Sequence, residues 1–159
     1  MFRVRLPKLK SLATLGRFRA GSLPLLRVRL VLRLPNLALH RPRSLTGTWS
    51  GPANDSSGPG QMTWQVTRSG TSISGDDVHD RHTSTKVTGR GTVSGTVSGS
   101  SLQFTVSVLA GGFDSPYSTC SASVSGNATI SSASVTGTYD GSSSCSGAIA
   151  SGQLTLNKQ

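Results

Sequence analysis

The sequence predicts an all-β domain over residues 45–159, an eight-stranded antiparallel up-and-down β-barrel. Three observations support this fold class: apolar and polar side chains alternate along successive segments, turn-forming residues recur about every ten residues, and glutamate is absent. Each segment has only one apolar face, and a sheet that closes on itself buries all of these faces and leaves no exposed edge. A β-sandwich is the alternative.

The segment between the two cysteines carries the clearest strand pattern. Every second residue from Cys120 to Ile130 is small or apolar, as is every second residue from Val135 to Cys145, apart from one serine, and the residues between them are polar. Side chains alternate across a strand, so a turn at residues 132–133 places both sets on one buried face, with the cysteines opposite each other. We therefore expect a disulfide, which indicates periplasmic or extracellular localisation; buried free thiols in the cytosol are the alternative.

The other predicted strands follow the same alternation. We expect loops at Pro52–Gly60 and 111–118, and a polar stretch from Gly75 to Lys86 that interrupts or extends the third strand. The fourth and fifth strands form a second hairpin around Ser100, and a short last strand closes the chain. The residues predicted to face inward are Leu45, Gly47, Trp49, Gly51, Met62, Trp64, Val66, Ile73, Val93, Gly95, Val97, Gly99, Leu102, Phe104, Val106, Val108, Leu154 and Leu156.

Residues 1–44 differ in composition from the rest of the chain. They hold eleven of the sixteen basic residues and no acid, whereas residues 45–159 hold five basic residues and six Asp. The folded part has no basic stripe, so we do not expect nucleic-acid binding. Arginines interrupt every apolar run, which excludes a membrane span and a recognisable signal peptide. We expect a basic, poorly ordered leader or a start assigned too far upstream; a transit peptide and a membrane-surface segment are alternatives.

A short motif in the first strand suggests a family resemblance. Gly47-Thr48-Trp49 resembles the Gly-x-Trp signature of lipocalin-type and avidin-type (calycin-like) barrels, and residues 136–141 are similar to avidin strands and to uncharacterised bacterial exported barrels. In lipocalins the signature tryptophan packs at the closed end of the barrel against a basic residue of the last strand. The resemblance therefore implies contact between Trp49 and Lys158. Avidin-like barrels line their site with several tryptophans, and this chain has two, so biotin is not the expected ligand.

Two functions are compatible with such a barrel. The first is a binding module in which Trp64, Phe104 and Tyr139 line a pocket for a small apolar or amphipathic ligand, with inward glycines leaving space. The second is a structural or surface domain of the cell envelope, coated with hydroxyl groups and holding no small molecule. A pocket of roughly 300 Å³ or more favours the first, and a filled interior favours the second. No oligomeric state follows from the sequence.

Catalytic and metal-binding patterns are weak. No Gly-x-Ser-x-Gly elbow is present, and we expect every Asp to lie in a loop or to face water, so the sequence predicts neither an enzyme nor a cofactor. His79 and His82, with Asp77 or Asp80, are the candidate metal ligands, but they match no known ligand spacing. We interpret this cluster as solvated residues of a polar loop.

Overall fold

A computed structural model describes residues 44–82 and 86–159, without the side chains of residues 81 and 82. This part of the chain is all-β and forms one closed antiparallel barrel, in which each strand pairs with its neighbours in sequence and the last pairs with the first. The fold prediction is confirmed, and the sandwich alternative is wrong. The eight strands are β1 (Gly47–Asp55), β2 (Gly58–Ser69), β3 (Ser72–His82), β4 (Lys86–Ser98), β5 (Ser101–Val108), β6 (Ala122–Ile130), β7 (Ser134–Ser143) and β8 (Gly147–Lys158).

Two findings complete the description of the chain's organisation. Within the described residues no helix is long and apolar enough to cross a membrane. The expectations for the basic leader concern residues 1–44, and all of these except Ser44 lie outside the part that the structure describes.

The hairpin of β6 and β7 has the predicted register. Ile130 pairs with Val135 next to the turn, and the pairing continues to Ala122 opposite Ser143. Beyond this point Cys120 and Cys145 form the predicted disulfide, with their Cα atoms 5.6 Å apart. The alternation of side chains in the sequence was therefore sufficient to place the cross-link.

The strands at one end of the barrel are longer than predicted. The predicted loop at Pro52–Gly60 belongs almost wholly to β1 and β2, which pair from Gly47 opposite Val66 to Asp55 opposite Gly58. Pro52 has no paired residue in β8. Its missing backbone N–H therefore costs no hydrogen bond between β1 and β8, and proline is tolerated at this position. The polar stretch after Gly75 is likewise strand, since β3 pairs with β2 as far as Arg81 and with β4 as far as His82.

The two ends of the barrel differ. One end, which we call the sealed end, holds the beginning of β1, the end of β8 and three tight turns. There Trp49 donates its indole N–H to the carbonyl oxygen of Leu45 at 2.7 Å, and the Nζ atom of Lys158 lies 5.5 Å from the centroid of the Trp49 ring. Leu45 and Trp49 are both buried, so the sealed end is closed by packed side chains.

The opposite end, which we call the loop end, holds the longest connection of the described barrel. This connection, the β5–β6 loop, spans residues 109–121 and is tied to the β7–β8 turn by the disulfide. The turn between β1 and β2 is anchored to β8, because the Ser56 amide donates to the carbonyl oxygen of Ala150 at 3.0 Å. Among the described residues of the loop end, the β5–β6 loop is therefore fastened to the β7–β8 turn, and the β1–β2 turn to β8.

Candidate functional site

The middle of the barrel is filled by aromatic side chains. The rings of Trp64 and Phe104 meet edge to face with centroids 5.0 Å apart, and both residues are buried. Gly126 leaves no empty space beside them, because a Cβ atom there would lie 2.7 Å from the Phe104 ring. The expectation that Gly126 leaves room for a ligand is therefore wrong at this position. Gly99, which was predicted to face inward, is instead exposed in the β4–β5 turn with a φ of 62°.

The open space inside the barrel lies at the loop end. It is a cavity of about 50 Å³, which is large enough for a group of a few atoms and far smaller than the roughly 300 Å³ of a drug-sized site. Its wall is mostly apolar, but four polar side chains reach it. The lining residues are Asp55, Met62, Asp77, His79, Val106, Val108, Phe113, Ala122, Val124, Tyr139 and Ile149.

Asp77 is the most unusual residue of this cavity. It lies in β3 with its side chain inside the barrel, and only 1% of its surface is exposed. Burial in apolar surroundings disfavours the charged carboxylate and raises the pKa of Asp77 from 3.8 to about 7, although the indole N–H of Trp64 opposes this shift. The expectation that every Asp faces water is therefore wrong for Asp77.

The Asp77 carboxyl group and the Trp64 indole are both unsatisfied. The two residues are directly paired across β2 and β3. Yet the indole Nε1 and both carboxyl oxygens of Asp77 are buried without a hydrogen bond of normal length and angle to any described residue. A buried carboxyl group without partners costs free energy in either protonation state, and more when ionised. The native fold thus retains an acidic group whose hydrogen-bonding capacity is unused.

Asp55 provides the second carboxyl group of the cavity, and both of its oxygens accept hydrogen bonds. It lies at the end of β1, where its Oδ1 atom accepts the Ser57 amide at 2.7 Å, which is the geometry of a turn stabilised by an aspartate side chain. Its Oδ2 atom accepts the hydroxyl of Tyr139 at 3.0 Å. These bonds hold the Tyr139 phenol at the wall of the cavity, so Asp55 orients the ring.

Phe113 covers the cavity from the β5–β6 loop. Where β5 has ended, the loop returns beside β4, so that Phe113 bridges to Gly89. The Arg90 amide donates to Gly112 at 2.8 Å, and the Asp114 amide donates to Thr88 at 3.0 Å. Gly89 has no side chain to block the ring, because a Cβ atom there would lie 2.6 Å from a Phe113 ring carbon. The glycine is what allows the ring to lie against the strand.

A larger depression on the outer wall does not have the character of a site. It measures about 650 Å³ and extends across β3 to β6. It is shallow and open to solvent, and the side chains that line it from outside are hydroxyl and amide groups such as Thr96, Gln103 and Asn127. None of these groups is buried, and they carry no charge. We therefore place the candidate site at the loop end, where buried polar groups meet apolar walls.

The residues predicted to bind a ligand have different positions. Trp64 and Phe104 contact each other in the filled middle of the barrel, whereas Tyr139 lines the cavity. Whether any of the three contacts a ligand stays a prediction. Trp49 and Lys158 contact each other at the sealed end, in the arrangement that the lipocalin resemblance implies.

The three candidate metal ligands whose side chains the structure describes do not converge. Asp77 and His79 face the cavity, whereas Asp80 lies on the outer face of β3 and accepts the Thr88 hydroxyl at 2.6 Å. The side chain of His82 lies outside the described part. Among the described residues no group of three or more His, Cys, Asp or Glu side chains could hold a metal ion. The interpretation of this cluster as a polar loop is also wrong, because it belongs to β3.

Sequence reasoning did not place five of the lining residues in the barrel interior. They are Asp55, Asp77, His79, Phe113 and Ile149. A signal for Asp77 was present, because the alternation that turns Ile73 inward also turns residues 75, 77 and 79 inward. Because the stretch is rich in acidic residues, it was interpreted as a polar loop and this alternation was not followed through it. No sequence signal identifies Phe113, because its position depends on how an irregular loop folds back.

Comparisons with known proteins do not extend these observations. No protein-family description matches the chain, and no curated protein shows significant similarity to it. The closed eight-stranded antiparallel barrel is consistent with a calycin-like fold.

Proposed function

We propose that the protein is an exported β-barrel binding module for a small amphipathic ligand, and that the ligand enters the cavity at the loop end. One observation supports this proposal above all: the unsatisfied carboxyl group of Asp77 and mostly apolar walls occur together in the cavity at the loop end. Binding sites typically combine a largely apolar wall with a few polar groups that orient the ligand. An unsatisfied buried carboxyl group costs stability, so packing of the core alone does not account for Asp77.

The size of the cavity limits the part of the ligand that can be enclosed. A volume of about 50 Å³ accommodates a head group of a few atoms. The remainder of the ligand lies beyond Phe113, beside the β5–β6 loop. Two apolar side chains of this loop are exposed, Leu109 and Tyr117, and they provide apolar surface outside the cavity. The proposed ligand is therefore small at the end that is bound inside.

The disulfide supports export. The Cys120–Cys145 bond closes the β6–β7 hairpin at the loop end and fits a non-cytoplasmic protein. We place the module in the periplasm or outside the cell. In either compartment the disulfide fixes one side of the loop that covers the cavity, which preserves the shape of the site.

Methyl resonances of the full-length oxidised protein test the proposal. Met62 and Ile149 line the cavity, whereas Ile130 is buried at the sealed end. Titration with short alkanols and alkylamines is expected to shift the Met62 and Ile149 methyl signals and to leave Ile130 unchanged. Absence of a shift at Met62 and Ile149 with both series contradicts the proposal.

A matched pair of variants separates the cavity from the outer surface. Ala122 lines the cavity, and Ala148 is exposed on β8. We expect Ala122→Leu to fill the cavity and to abolish the methyl shifts, and Ala148→Leu to leave them as in the wild-type protein. Equal titration curves for the two variants place the ligand elsewhere.

The filled middle of the barrel, and an interior cavity well below the roughly 300 Å³ expected of a drug-sized site, favour a second candidate function. This is a structural or surface domain of the cell envelope without a small ligand. Trp64 and Phe104 occupy the space that a larger pocket requires. The outward side chains of β5 and β6 are hydroxyl and amide groups with no charge among them. If neither series of compounds binds and Ala122→Leu only stabilises the fold, this second function is the one supported.

A further inference from the structure

The charges of the cavity indicate what kind of head group it binds. We propose that the loop-end cavity recognises the ammonium group of a small alkylamine, with Asp77 as the anion that pairs with it. This inference rests on the proposed function, because it names the chemical class of the ligand for the same site. It assigns a role to the buried carboxyl group that packing does not explain.

Acidic side chains outnumber basic ones among the described lining residues of the cavity. Two carboxyl groups line the cavity, those of Asp55 and Asp77, with one imidazole from His79 and the phenol of Tyr139. No lysine or arginine is among the described lining residues. With both carboxyl groups ionised, the cavity is negative even when the imidazole is protonated. A cation is therefore attracted, and an anionic ligand is repelled.

The carboxyl group of Asp77 has hydrogen-bonding capacity that the described residues do not satisfy. Both of its oxygens are buried, and neither accepts a hydrogen bond of normal length and angle from the described residues, although the side chain lines the cavity. The nearby indole N–H of Trp64 lowers the pKa of Asp77 but does not satisfy its carboxyl group. An ammonium group supplies three N–H donors and a full positive charge, which together satisfy an ionised carboxylate. Asp55 is less available for this role, because its oxygens already accept the Ser57 amide and the Tyr139 hydroxyl.

The walls of the cavity are aromatic and aliphatic. The rings of Phe113 and Tyr139 line the cavity, and aromatic faces attract cations. The other lining residues include the aliphatic side chains of Val106, Val124 and Ile149, which fit the first carbons of an alkyl chain. A metal ion fits less well, because calcium and zinc need at least four ligands and the described residues offer no group of three. An organic cation satisfies both the acid and the apolar walls.

Binding of a cation also explains how the carboxylate is tolerated in its ionised form. Burial raises the pKa of Asp77 to about 7, so below this pH an amine has to compete with a proton. The affinity for an amine is expected to fall by up to about tenfold for each pH unit below that value. Asp55, His79 and Tyr139 are the other titratable groups that face the cavity, and only the pH dependence that Asp77→Asn removes is assigned to Asp77.

The test compares n-butylamine with n-butanol, which differ in charge and have nearly the same size. Each is titrated into the full-length oxidised protein at about pH 8, and the Met62 and Ile149 methyl signals report binding. We expect the amine to bind at least about tenfold more tightly than the alcohol. Asp77→Asn is expected to reduce amine affinity to that of the alcohol, whereas Asp76→Asn, at an exposed site next to it in β3, is expected to change neither.

Each outcome decides a different question. Equal affinity of amine and alcohol in the wild-type protein overturns the ammonium proposal and leaves the binding module standing. Amine affinity that is unchanged in Asp77→Asn also overturns it, since another group then holds the cation. No shift with either compound removes the proposed function and, with it, this inference. The comparison of amine with alcohol needs no variant, so it remains decisive even if Asp77→Asn alters the fold.

Discussion

Trp64 and Asp77 are paired directly across β2 and β3, and each keeps a buried polar group without a hydrogen bond of normal length and angle to the described residues. One group is a donor and the other an acceptor, so their proximity reduces the electrostatic cost of each without removing it. The pair lies between the filled middle of the barrel and the loop-end cavity. Stability and ligand recognition therefore depend on the same carboxyl group.

The first prediction concerns the pH dependence of stability. The pKa of Asp77 is raised from 3.8 to about 7 by burial, so the native state holds a proton that the unfolded chain releases. The contribution of Asp77 to the free energy of unfolding is therefore greatest below about pH 4. It decreases as the pH rises to about 7, by at most about 4 kcal/mol in total. We expect Asp77→Asn to flatten this fall and to be more stable than wild type at about pH 8, as measured by urea unfolding.

Asp76→Asn is the control for this prediction. Asp76 is adjacent in sequence, but its side chain is exposed on the outer face of β3. Its stability curve is expected to run parallel to that of the wild-type protein. If the Asp77→Asn curve is also parallel to wild type between about pH 4 and 7, the carboxyl group is not desolvated as described.

The second prediction concerns the disulfide. The bond joins residues that are 25 positions apart in sequence. By closing this loop in the unfolded chain, it is expected to contribute about 3 kcal/mol to the free energy of unfolding. The Cys120→Ser, Cys145→Ser double variant should therefore unfold at lower urea concentration than the oxidised protein. Reductant should shift the wild-type midpoint and leave that of the double variant unchanged; an equal effect on both contradicts the prediction.

The fold was predictable because its determinants are local and repeated. Alternation between residues such as Val124 and Ser125 recurs in every strand, and it fixed both the register of β6 with β7 and the cysteine pairing. The strand ends were less predictable. Pro52 and Gly60 are typical of loops, yet both lie in strands, because pairing with neighbouring strands outweighs local preference.

The site was less predictable than the fold. Asp77 is buried, whereas acidic residues are usually exposed. The acidic composition of this stretch therefore predicted a loop, although the alternation of side chains counted from Ile73 places Asp77 inside the barrel. The position of Phe113 depends on the loop returning beside β4, which is a contact between residues distant in sequence. Such contacts leave no periodic pattern in the chain. Closure of the sealed end, in contrast, was signalled by the Gly-x-Trp motif at Trp49.

The third prediction concerns that end. The Nζ atom of Lys158 lies 5.5 Å from the Trp49 ring centroid and donates to the Ser44 carbonyl oxygen at 3.3 Å. Loss of the cation is expected to lower the free energy of unfolding by about 0.5–1 kcal/mol in Lys158→Gln, and Lys158→Arg is expected to retain most of it. Lys86→Gln, at an exposed position of β4, is the control. Equal urea midpoints for the two glutamine variants contradict a specific contact.

The fourth prediction concerns the contact of Phe113 with Gly89. A Cβ atom at position 89 would lie 2.6 Å and 2.9 Å from two ring carbons of Phe113, so Gly89→Ala must displace the ring from the cavity. The amide of Asp114, which donates to Thr88, is expected to exchange with deuterium faster in Gly89→Ala and in Phe113→Ala alike. Tyr117→Ala, at an exposed side chain of the same loop, should leave this exchange unchanged.

Combining the two substitutions distinguishes one shared contact from two separate effects. Both single changes remove the packing of the Phe113 ring against β4, so the double variant is expected to exchange no faster than the faster single variant. If the increases in exchange rate of the two single variants multiply in the double variant, Gly89→Ala disturbs β4 itself. Phe113→Ala then still has a contact to remove in the Gly89→Ala background. In that case the ring does not depend on the glycine, and the cover of the cavity is held by the backbone bonds from Arg90 to Gly112 and from Asp114 to Thr88.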